Sequence, residues 1–252
     1  MKTLVIGDVH GDIWGLQGLL QSTGAIAADG TRNEGWRIIQ LGDLIHGGRS
    51  DDPHSDDIGA LSLSLDVCDV LLLGNHELPH AYPWADFPRF AGMHPMMSGT
   101  SSLLRKASSR MKVATSVEGW LITHAGVASS FASGLPDHAP DAAEFLNRGF
   151  AERAASTVRV DLFDAVGRAR GGREPVGGIF WLDWEDLCDQ ADTPWSQIVG
   201  HSPVKNHTWR PFPERSPCSR HWCIDVGAAL SGKVAGLVKE DGHAHWQSVV
   251  YP

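Results

Sequence analysis

Short apolar runs that end at a glycine recur in the first third of the chain. Each run is rich in leucine and β-branched side chains, and runs of about four to eight such residues bounded by a turn residue are typical of buried strands. The pattern therefore predicts three strands that stop at tight turns. The runs and their glycines are residues 2–6 with Gly7, 36–41 with Gly42, and 70–73 with Gly74.

Helical periodicity separates these predicted strands. Residues 13–20 carry isoleucine and leucine at helical spacing behind Asp12, which is a suitable N-cap residue. Residues 58–65 predict a second helix. Strands that alternate with helices indicate an α/β sheet, and binding sites in such sheets lie beyond the carboxyl ends of the strands.

The second half of the chain is richer in strands. Residues 113–117 and 120–123 predict a strand pair, and residues 137–160 predict a long helix. Four later runs suggest a β-meander, a series of neighbouring antiparallel strands. These runs are residues 197–199, 221–226, 234–239 and 245–250.

Together these elements predict an α/β fold with two facing mixed β-sheets flanked by helices. No linker composition or internal repeat marks a boundary, so residues 1–252 are predicted to form a single domain. Residues 78–112 are rich in Pro, Trp, Phe and Met and show no clean period. We interpret this stretch as a cap or specificity insertion.

Composition and charge narrow the classes of partner. The chain has 252 residues and a formal net charge of −9, which argues against nucleic acid as a partner. A small phosphorylated molecule or a phosphoprotein is the expected substrate, because bound divalent ions can reverse the local field. The four cysteines form no C-x-x-C pair and are expected to be free thiols. The oligomeric state is left open.

The sequence also bears on location. No apolar stretch approaches the roughly 18 residues that a membrane-spanning helix requires, so no membrane partner is expected. The start of the chain shows no signal-peptide pattern. A cytoplasmic location is the resulting expectation.

Metal-binding residue types follow the predicted strands at five places. Carboxylate, imidazole and amide oxygen together suit divalent ions of intermediate hardness. A two-metal site also needs a carboxylate shared by ions about 3.5–4 Å apart, and Asp43 is the natural residue for that role. One such turn alone is more often structural, because Asp and Gly favour turns, but the ordered set indicates a metal site. The predicted ligands are Asp8, His10, Asp43, Asn75, His124 and His201.

The motifs around these residues resemble those of the calcineurin-like metallophosphoesterase superfamily. The opening G-D-V-H-G-D from Gly7 and the segment G-N-H-E from Gly74 are most similar to one branch of it. That branch holds the protein Ser/Thr phosphatases, the bacterial diadenosine tetraphosphate hydrolases and the bacterial and phage protein phosphatases. The segments T-H-A-G, G-H-S-P and I-D-V-G, which contain His124, His201 and Asp225, are similar as well. The resemblance extends to about residue 240.

The resemblance implies a binuclear site and a mechanism. Two divalent ions are implied, with Mn²⁺ expected and Fe or Zn²⁺ as alternatives. A hydroxide that bridges the ions would attack phosphorus, and His76 would protonate the leaving alkoxide as general acid. Glu77 is expected to anchor the site rather than to react. The implied ligand sets are Asp8, His10 and Asp43 for one ion, and Asp43, Asn75, His124 and His201 for the other.

The chain departs from the family pattern in its second motif. Where relatives have G-D-x-x-D-R-G, this sequence continues from Gly42 as G-D-L-I-H-G-G. His46 therefore stands where an Asp would pair with His76, and Gly47 stands where an Arg would hold phosphate. His46 becomes a second candidate catalytic residue, although a second imidazole does not raise the pKa of His76 as a carboxylate would.

A second phosphate-binding arginine is also replaced. Asp183 stands where relatives often have an Arg in a Trp-x-Arg segment. A glycine or an aspartate cannot give the bidentate recognition that a guanidinium gives, so positive charge has to come from elsewhere. Arg49 and Arg173 are the predicted substrate-binding residues. Fewer cations would favour a substrate of lower charge, such as a diester.

These features predict a metal-dependent hydrolase of phosphomonoesters. The alternatives are a nucleotide pyrophosphohydrolase or phosphodiesterase of the same superfamily, and a non-catalytic scaffold with this fold. The ten tryptophans could supply a substrate wall, since aromatic rings stack on nucleotide bases; ordinary packing is the competing interpretation. The tryptophans considered for the wall are Trp84, Trp181, Trp184, Trp195 and Trp209.

Overall fold

The structure is a computed structural model, and it describes residues 1–46, 55–90, 98–204 and 212–251. Within these residues the strands and helices alternate through the first two thirds of the chain, and strands dominate the last third. The strands are β1 (Lys2–Ile6), β2 (Trp36–Gln40), β3 (Val70–Leu71), β4 (Ala114–Val117), β5 (Trp120–Thr123), β6 (Ser196–Val199), β7 (Glu214–Arg215), β8 (His221–Cys223), β9 (Val234–Glu240) and β10 (Gln247–Tyr251).

The helices vary from one turn to more than four turns in length. Two short 3₁₀ helices, Ser108–Arg110 and Arg168–Arg170, accompany them. The α-helices are α1 (Ile13–Thr23), α2 (Asp57–Val67), α3 (Leu78–Ala81), α4 (Ser98–Ala107), α5 (Ser129–Ala132), α6 (Ala139–Ala154), α7 (Asp161–Asp164), α8 (Trp184–Cys188) and α9 (Ala228–Ser231).

Two mixed sheets of five strands each confirm the predicted fold class. The first sheet has the order β10-β9-β1-β2-β3, in which β1, β2 and β3 run parallel and β9 and β10 are antiparallel. The second sheet has the order β4-β5-β6-β8-β7, with β5, β6 and β8 parallel. In each sheet the carboxyl ends of the three parallel strands therefore lie at one edge.

The alternation of side chains along the strands explains how the two sheets pack. Val5 of β1 and Ile39 of β2 are register partners, and they share a buried cluster with Ile122 of β5 and Ile198 of β6. That cluster fills the space between the sheets. Residues on the opposite face, such as Leu4, belong to another cluster that includes the apolar stripe of α1. Both faces of these strands are thus covered, which accounts for their continuous hydrophobicity.

Two expectations about the second half of the chain were wrong. The strands after residue 195 do not form a meander, because β5, β6 and β8 pair in parallel and β9 and β10 join the first sheet. The helix predicted over 137–160 is α6 and ends at Ala154. It stops there because Arg153 turns back to the Ser156 carbonyl and to Asp164, which closes the chain into a turn.

Residues 78–90 and 98–112 are packed into the main body of the protein. Leu78, Phe87, Leu104 and Met111 are buried members of the same cluster that covers the first sheet. A specificity role for this region remains a prediction. In the described part of the chain no helix is both long enough and apolar enough to cross a membrane, and the cytoplasmic location also remains a prediction.

A buried ion pair fixes the end of α6. The Arg153 guanidinium donates to both oxygens of Asp164, at 2.6 and 2.7 Å, and neither side chain is exposed to solvent. Asp164 also accepts from the Val160 backbone N–H, and Arg153 lies over the Phe87 ring. Each charge is therefore compensated only by the other and by local hydrogen bonds.

We expect Arg153→Met to lower the free energy of unfolding by about 3–5 kcal/mol, because it leaves the Asp164 carboxylate buried without its partner. Urea denaturation would measure the loss. The matched control is Arg148→Met on the exposed side of the same helix, for which we expect a change within about 0.5 kcal/mol. A loss for Arg153→Met as small as that of the control would contradict the prediction.

Candidate metal centre

The six predicted ligands lie on loops that leave the parallel strands of both sheets. Asp8 and His10 follow β1, Asp43 follows β2, and Asn75 follows β3 by four residues. The second sheet supplies the remaining two ligands, one directly after β5 and one two residues after β6. These two are His124 and His201. The edges at which the parallel strands end therefore meet in one place.

Several of these residues have an unusual backbone conformation. His10, Asp43, His46 and His201 have φ angles of 48°, 51°, 60° and 67°. This left-handed region is uncommon for residues other than glycine, and such conformations cluster at functional sites. The loops thus place their side chains at a cost in backbone energy that the surrounding structure has to offset.

Glycines let the loops approach the carboxylates closely. A methyl group on Gly74 would overlap the Asp43 carboxylate, and one on Gly200 would overlap the Asp8 carboxylate. The glycine that precedes Asn75 and the glycine that precedes His201 are therefore required by space as well as by turn geometry.

Asp43 lies at the centre of the cluster. Its Oδ2 atom is 3.8 Å from His10 Nε2, 3.8 Å from His76 Nε2 and 3.5 Å from His124 Nε2. Burial works to raise the pKa of Asp43, but the imidazoles of His124, His76 and His10 outweigh it and hold that pKa well below its usual range. Asp43 is thus an ionised carboxylate that faces three imidazoles.

Asn75 and Asp8 connect this centre to the second sheet. The amide oxygen Oδ1 of Asn75 lies 3.0 Å from His124 Nε2 and 2.9 Å from His201 Nδ1. The Asp8 carboxylate accepts from the His201 backbone N–H at 3.1 and 3.2 Å. On the far side of its ring, His124 Nδ1 contacts the Leu41 carbonyl at 3.0 Å, which directs Nε2 toward Asp43.

The donor atoms of these residues match the requirements of divalent metal ions. Two groups of closely spaced donors share Asp43: one with His10 and His76, the other with His124 and His201. The His201 Nε2 atom is buried and has no hydrogen-bond partner among the described residues. A buried imidazole nitrogen without a partner is costly unless it is a ligand. Carboxylate, imidazole and amide oxygen together suit Mn²⁺, Fe or Zn²⁺.

The electrostatics of the site also favour cations. Asp8 and Asp225 are buried beside Asp43, and burial followed by the repulsion of the other two carboxylates raises the pKa of Asp8 well above its usual range. Burial likewise raises the pKa of Asp225, whose Oδ1 accepts from the Gly227 backbone N–H at 2.7 Å. Several carboxylates crowded away from water are stabilised when positive ions lie between them.

Glu77 anchors the loops that carry these ligands. It is fully buried, and its two oxygens accept from the backbone N–H groups of residues 43, 44 and 45 and of Gly74, at 2.8, 2.9, 3.3 and 2.8 Å. Burial, followed by the nearby Asp43 charge, raises the pKa of Glu77 to about 7. One carboxylate therefore fixes the loop after β2 and the loop after β3.

A row of three histidines leads away from Asp43. His76 Nδ1 is 3.0 Å from His46 Nδ1, and His46 Nε2 is 3.2 Å from His80 Nε2. Phe90 stacks on His76 with ring centroids 4.2 Å apart. Burial is the main reason why the pKa of His76 is lowered to about 3. The nearby imidazoles of His10 and His46 also contribute to this lowering of the pKa. His46 thus lies beside His76, as its position in the motif implied.

An arginine outside every motif described above reaches the site. Arg170 forms an ion pair with Asp183, with 2.8 Å between Nε and Oδ2. Its terminal nitrogen approaches the His201 carbonyl at 3.4 Å and donates to the Ser202 hydroxyl. Asp183, which replaces an expected arginine, therefore holds an arginine from another part of the chain.

The other residues predicted to bind substrate differ in exposure and in whether the structure describes them. Arg173 is exposed three residues beyond Arg170, and its substrate role remains a prediction. Arg49, Gly47 and Trp209 lie outside the described residues. Among the tryptophans considered for a substrate wall, Trp84 is exposed, whereas three others are buried. The buried ones are Trp181, Trp184 and Trp195.

Short sequence patterns mark two residues near the site that were not among the predicted site residues. Asp225 follows β8 as the predicted ligands follow their strands, so the same sequence pattern marks it. His80 is four residues after His76, a spacing that brings side chains to one side of a helical turn. No local signal marks Arg170, because its contacts with Asp183 and Ser202 depend on how distant segments pack.

Comparison with known proteins gives one family and several similar folds. A family model described as calcineurin-like phosphoesterase matches residues 1–230. No curated protein sequence matches significantly. The cold-active protein-tyrosine phosphatase of a psychrophilic Shewanella species is 15% identical with a TM-score of 0.63, over 95% of this chain and 75% of that one.

Two further solved structures share the fold. A protein provisionally described as a diadenosine tetraphosphatase is 15% identical with a TM-score of 0.55, over 99% of this chain and 93% of that one. A protein serine/threonine phosphatase from Saccharomyces cerevisiae is 13% identical with a TM-score of 0.52, over 100% and 79%. At these identities the likeness concerns the fold.

We expect Glu77→Gln to destabilise the protein by about 2–4 kcal/mol, because the new amide directs a donor at backbone N–H groups that need an acceptor. Equilibrium unfolding and Mn²⁺ titration would both report the change, since the loop that carries Asp43 loses its anchor. Glu152→Gln on the exposed face of α6 is the control. Unchanged unfolding and unchanged Mn²⁺ affinity in Glu77→Gln would refute the anchoring role.

Proposed function

Because this chain belongs to the calcineurin-like phosphoesterase family, and is thus a hydrolase of phosphoester bonds, we propose that it hydrolyses phosphomonoesters with two divalent ions. The observation that carries the proposal is the convergence of three imidazoles on Asp43 Oδ2, together with the Asn75 oxygen between His124 and His201. A non-catalytic scaffold would have no need to bring every ligand position together in strained loops.

The proposed ligand sets share Asp43. Mn²⁺ is the proposed metal, with Fe or Zn²⁺ as alternatives that the same donors accept. When bound, the two ions would activate the attacking water and neutralise charge on the phosphoryl oxygens. One ion would be held by Asp8, His10 and Asp43, and the other by Asp43, Asn75, His124 and His201.

His76 is the proposed general acid. Its Nε2 atom faces the Asp43 side of the site, 3.8 Å from Oδ2, while Nδ1 contacts His46. One of the two contacting nitrogens has to carry the hydrogen. If His46 donates, His76 carries its own hydrogen on Nε2, the nitrogen that faces the site. As that hydrogen passes to the leaving alkoxide, His76 Nδ1 would take the hydrogen of His46 Nδ1, so His76 stays neutral.

His46 is the proposed positioning residue for this proton transfer. His80, His46 and His76 can all donate in the same direction, from the partly exposed His80 toward the site. The array would therefore orient the His76 ring and return a proton to it after each turnover. His46 would thus orient His76, as a carboxylate partner does in relatives, without adding a negative charge to the site.

Arg170 is the proposed phosphate-facing cation, with Arg49 and Arg173 as the alternatives from the sequence. Arg170 touches the backbone of a proposed metal ligand, and its guanidinium is held in place by Asp183. The pairing with Asp183 offsets much of its charge. This observation favours, as a second candidate function, hydrolysis of a phosphodiester, which carries less negative charge on its phosphate than a phosphomonoester.

We expect metal-stripped protein to regain hydrolysis of a chromogenic phosphomonoester when Mn²⁺ is added, and to hydrolyse the diester analogue more slowly. His76→Ala should lower kcat by about 10²–10⁴-fold, the usual contribution of a general acid, and Asp43→Asn should abolish the response to Mn²⁺. Exposed His138→Ala and Asp241→Asn serve as controls. No turnover with any divalent metal, in protein shown to bind two ions, would favour the scaffold.

We expect His46→Ala to lower kcat and His46→Asp to retain more of it, because aspartate restores a partner for His76 Nδ1. A carboxylate stabilises the charged imidazolium, so it raises the pKa of His76. The limb of the pH–rate profile on which the acid loses its proton should then move to higher pH in His46→Asp. Identical profiles for the wild type and both variants would show that His46 has no part in the proton transfer.

A further inference from the structure

A groove of about 680 Å³ opens beside the metal centre at His10. One wall is the first two turns of α1, which carries Trp14, and the other is the short helix α9, which carries Leu230. Tyr251 at the end of β10 also lines it. Because His10 belongs to both the groove and the donor cluster, a substrate held at the metals can extend directly into this space.

Glycines determine the shape of both walls of the groove. The Tyr251 ring lies so close to Gly18 that a methyl group there would overlap it, so the helix accepts the ring only because of the glycine. The opposite wall begins at Gly227, whose N–H donates to Asp225 in the metal centre, and ends at Gly232. A hydrogen bond therefore connects the α9 wall to Asp225 beside the donor cluster.

The groove exposes two large apolar side chains. Trp14 is 61% exposed and Leu230 is 81% exposed. Trp181, Trp184, Trp195 and Trp246, by contrast, are buried. Trp14 follows the N-cap residue Asp12 by two positions, so its backbone lies in the first turn of α1 while its ring is open to solvent. The exposed indole therefore offers an aromatic face on which a ligand ring can stack.

The charge of the groove restricts the ligand further. None of the described residues that line it is a lysine or an arginine. Its one carboxylate, Asp12, already accepts from the Gly15 N–H at 2.8 Å. The remaining polar lining comes from neutral side chains such as Gln17, Gln21 and Ser55. Among the described lining residues an additional phosphate or carboxylate would find no lysine or arginine as counter-charge, whereas an uncharged ring would find apolar faces and neutral hydrogen-bonding groups.

We propose that this groove binds the part of the substrate that leaves with the ester oxygen, and that this part carries a flat, uncharged aromatic ring that stacks on Trp14. The inference rests on the proposed function, because it identifies the substrate class of the same site. A nucleoside base and a simple aryl ring share the required chemistry. The volume of the groove lies within the range of about 300–1,000 Å³ that small-molecule sites occupy.

Two pairs of substrates test the contribution of the ring separately from the bond-breaking step. The members of each pair have the same type of leaving alkoxide and differ in the ring. Adenosine 5′-monophosphate is compared with methyl ribofuranoside 5-phosphate, and benzyl phosphate is compared with cyclohexylmethyl phosphate. Stacking contributes about 1–3 kcal/mol per base, which corresponds to roughly 5–150-fold in kcat/KM. We expect the aromatic member of at least one pair to be favoured by about tenfold or more, and the favoured pair identifies the ring.

Matched variants assign the preference to the groove. Trp14→Ala should bring the aromatic-to-saturated ratio close to one, and Trp14→Phe should retain part of it. Phe145→Ala is the control, because Phe145 is 39% exposed on α6 and lies outside the groove. A ratio close to one in the wild-type protein for both pairs, or equal ratios in the wild type and Trp14→Ala, would overturn the proposal.

A binding measurement separates failure of the groove from failure of the proposed function. Protein labelled with 5-fluorotryptophan is titrated with adenosine and with benzyl alcohol, which contain no phosphate, and the Trp14 fluorine signal is identified from Trp14→Phe. We expect the Trp14 signal to shift and the signal of Trp120, which lies outside the groove, to stay in place. A shift in protein without hydrolytic activity would support the groove and reject the proposed chemistry; an unshifted Trp14 signal with both probes would overturn the groove.

Discussion

The carboxylate of Glu77 is the group on which the arrangement of the metal-binding loops depends, because it accepts hydrogen bonds from both loops at once. It binds the backbone N–H of Gly74 and those of residues 43, 44 and 45. Asp43 is thereby held at a φ of 51°, a conformation that it would not keep without support. Asp43 in turn faces three imidazoles, so the position of one buried acid determines where the charge of the site lies.

The facing sheets supply the other half of the site. Parallel pairing of β5 with β6 brings the residues after these two strands to one edge, where Asn75 lies between His124 and His201. The contact of His124 Nδ1 with the Leu41 carbonyl joins this edge to the first sheet. The inter-sheet cluster of Val5, Ile39, Ile122 and Ile198 therefore matters for the geometry of the site as well as for stability, because any shift between the sheets would separate the two groups of predicted ligands.

Short sequence patterns predicted the structure correctly where the pattern itself reflects a physical requirement, such as the burial of a strand or the tight turn that ends it. Apolar runs that stop at glycine located the three parallel strands of the first sheet, and polar residue types that follow them lie in one cluster, although their role as ligands is still a prediction. The parallel order of β5, β6 and β8 could not be predicted, because it depends on long connections rather than on strand periodicity. Arg170 and Trp14 were missed for the same kind of reason: an ion pair with Asp183 and a shared groove with Leu230 exist only after folding.

The departures from the family pattern all reduce the fixed charge around the site. An imidazole at His46 takes the place of a carboxylate, and Asp183 takes the place of a guanidinium and then pairs with Arg170. Each change leaves the surroundings of the metal centre with less fixed charge for a phosphate to meet. The adjoining groove continues this trend, since Trp14 and neutral side chains form most of its described lining. If charge does little to distinguish one phosphoester from another here, selectivity has to come from the group attached to the phosphate, and a stacked ring is the contact that this surface can offer.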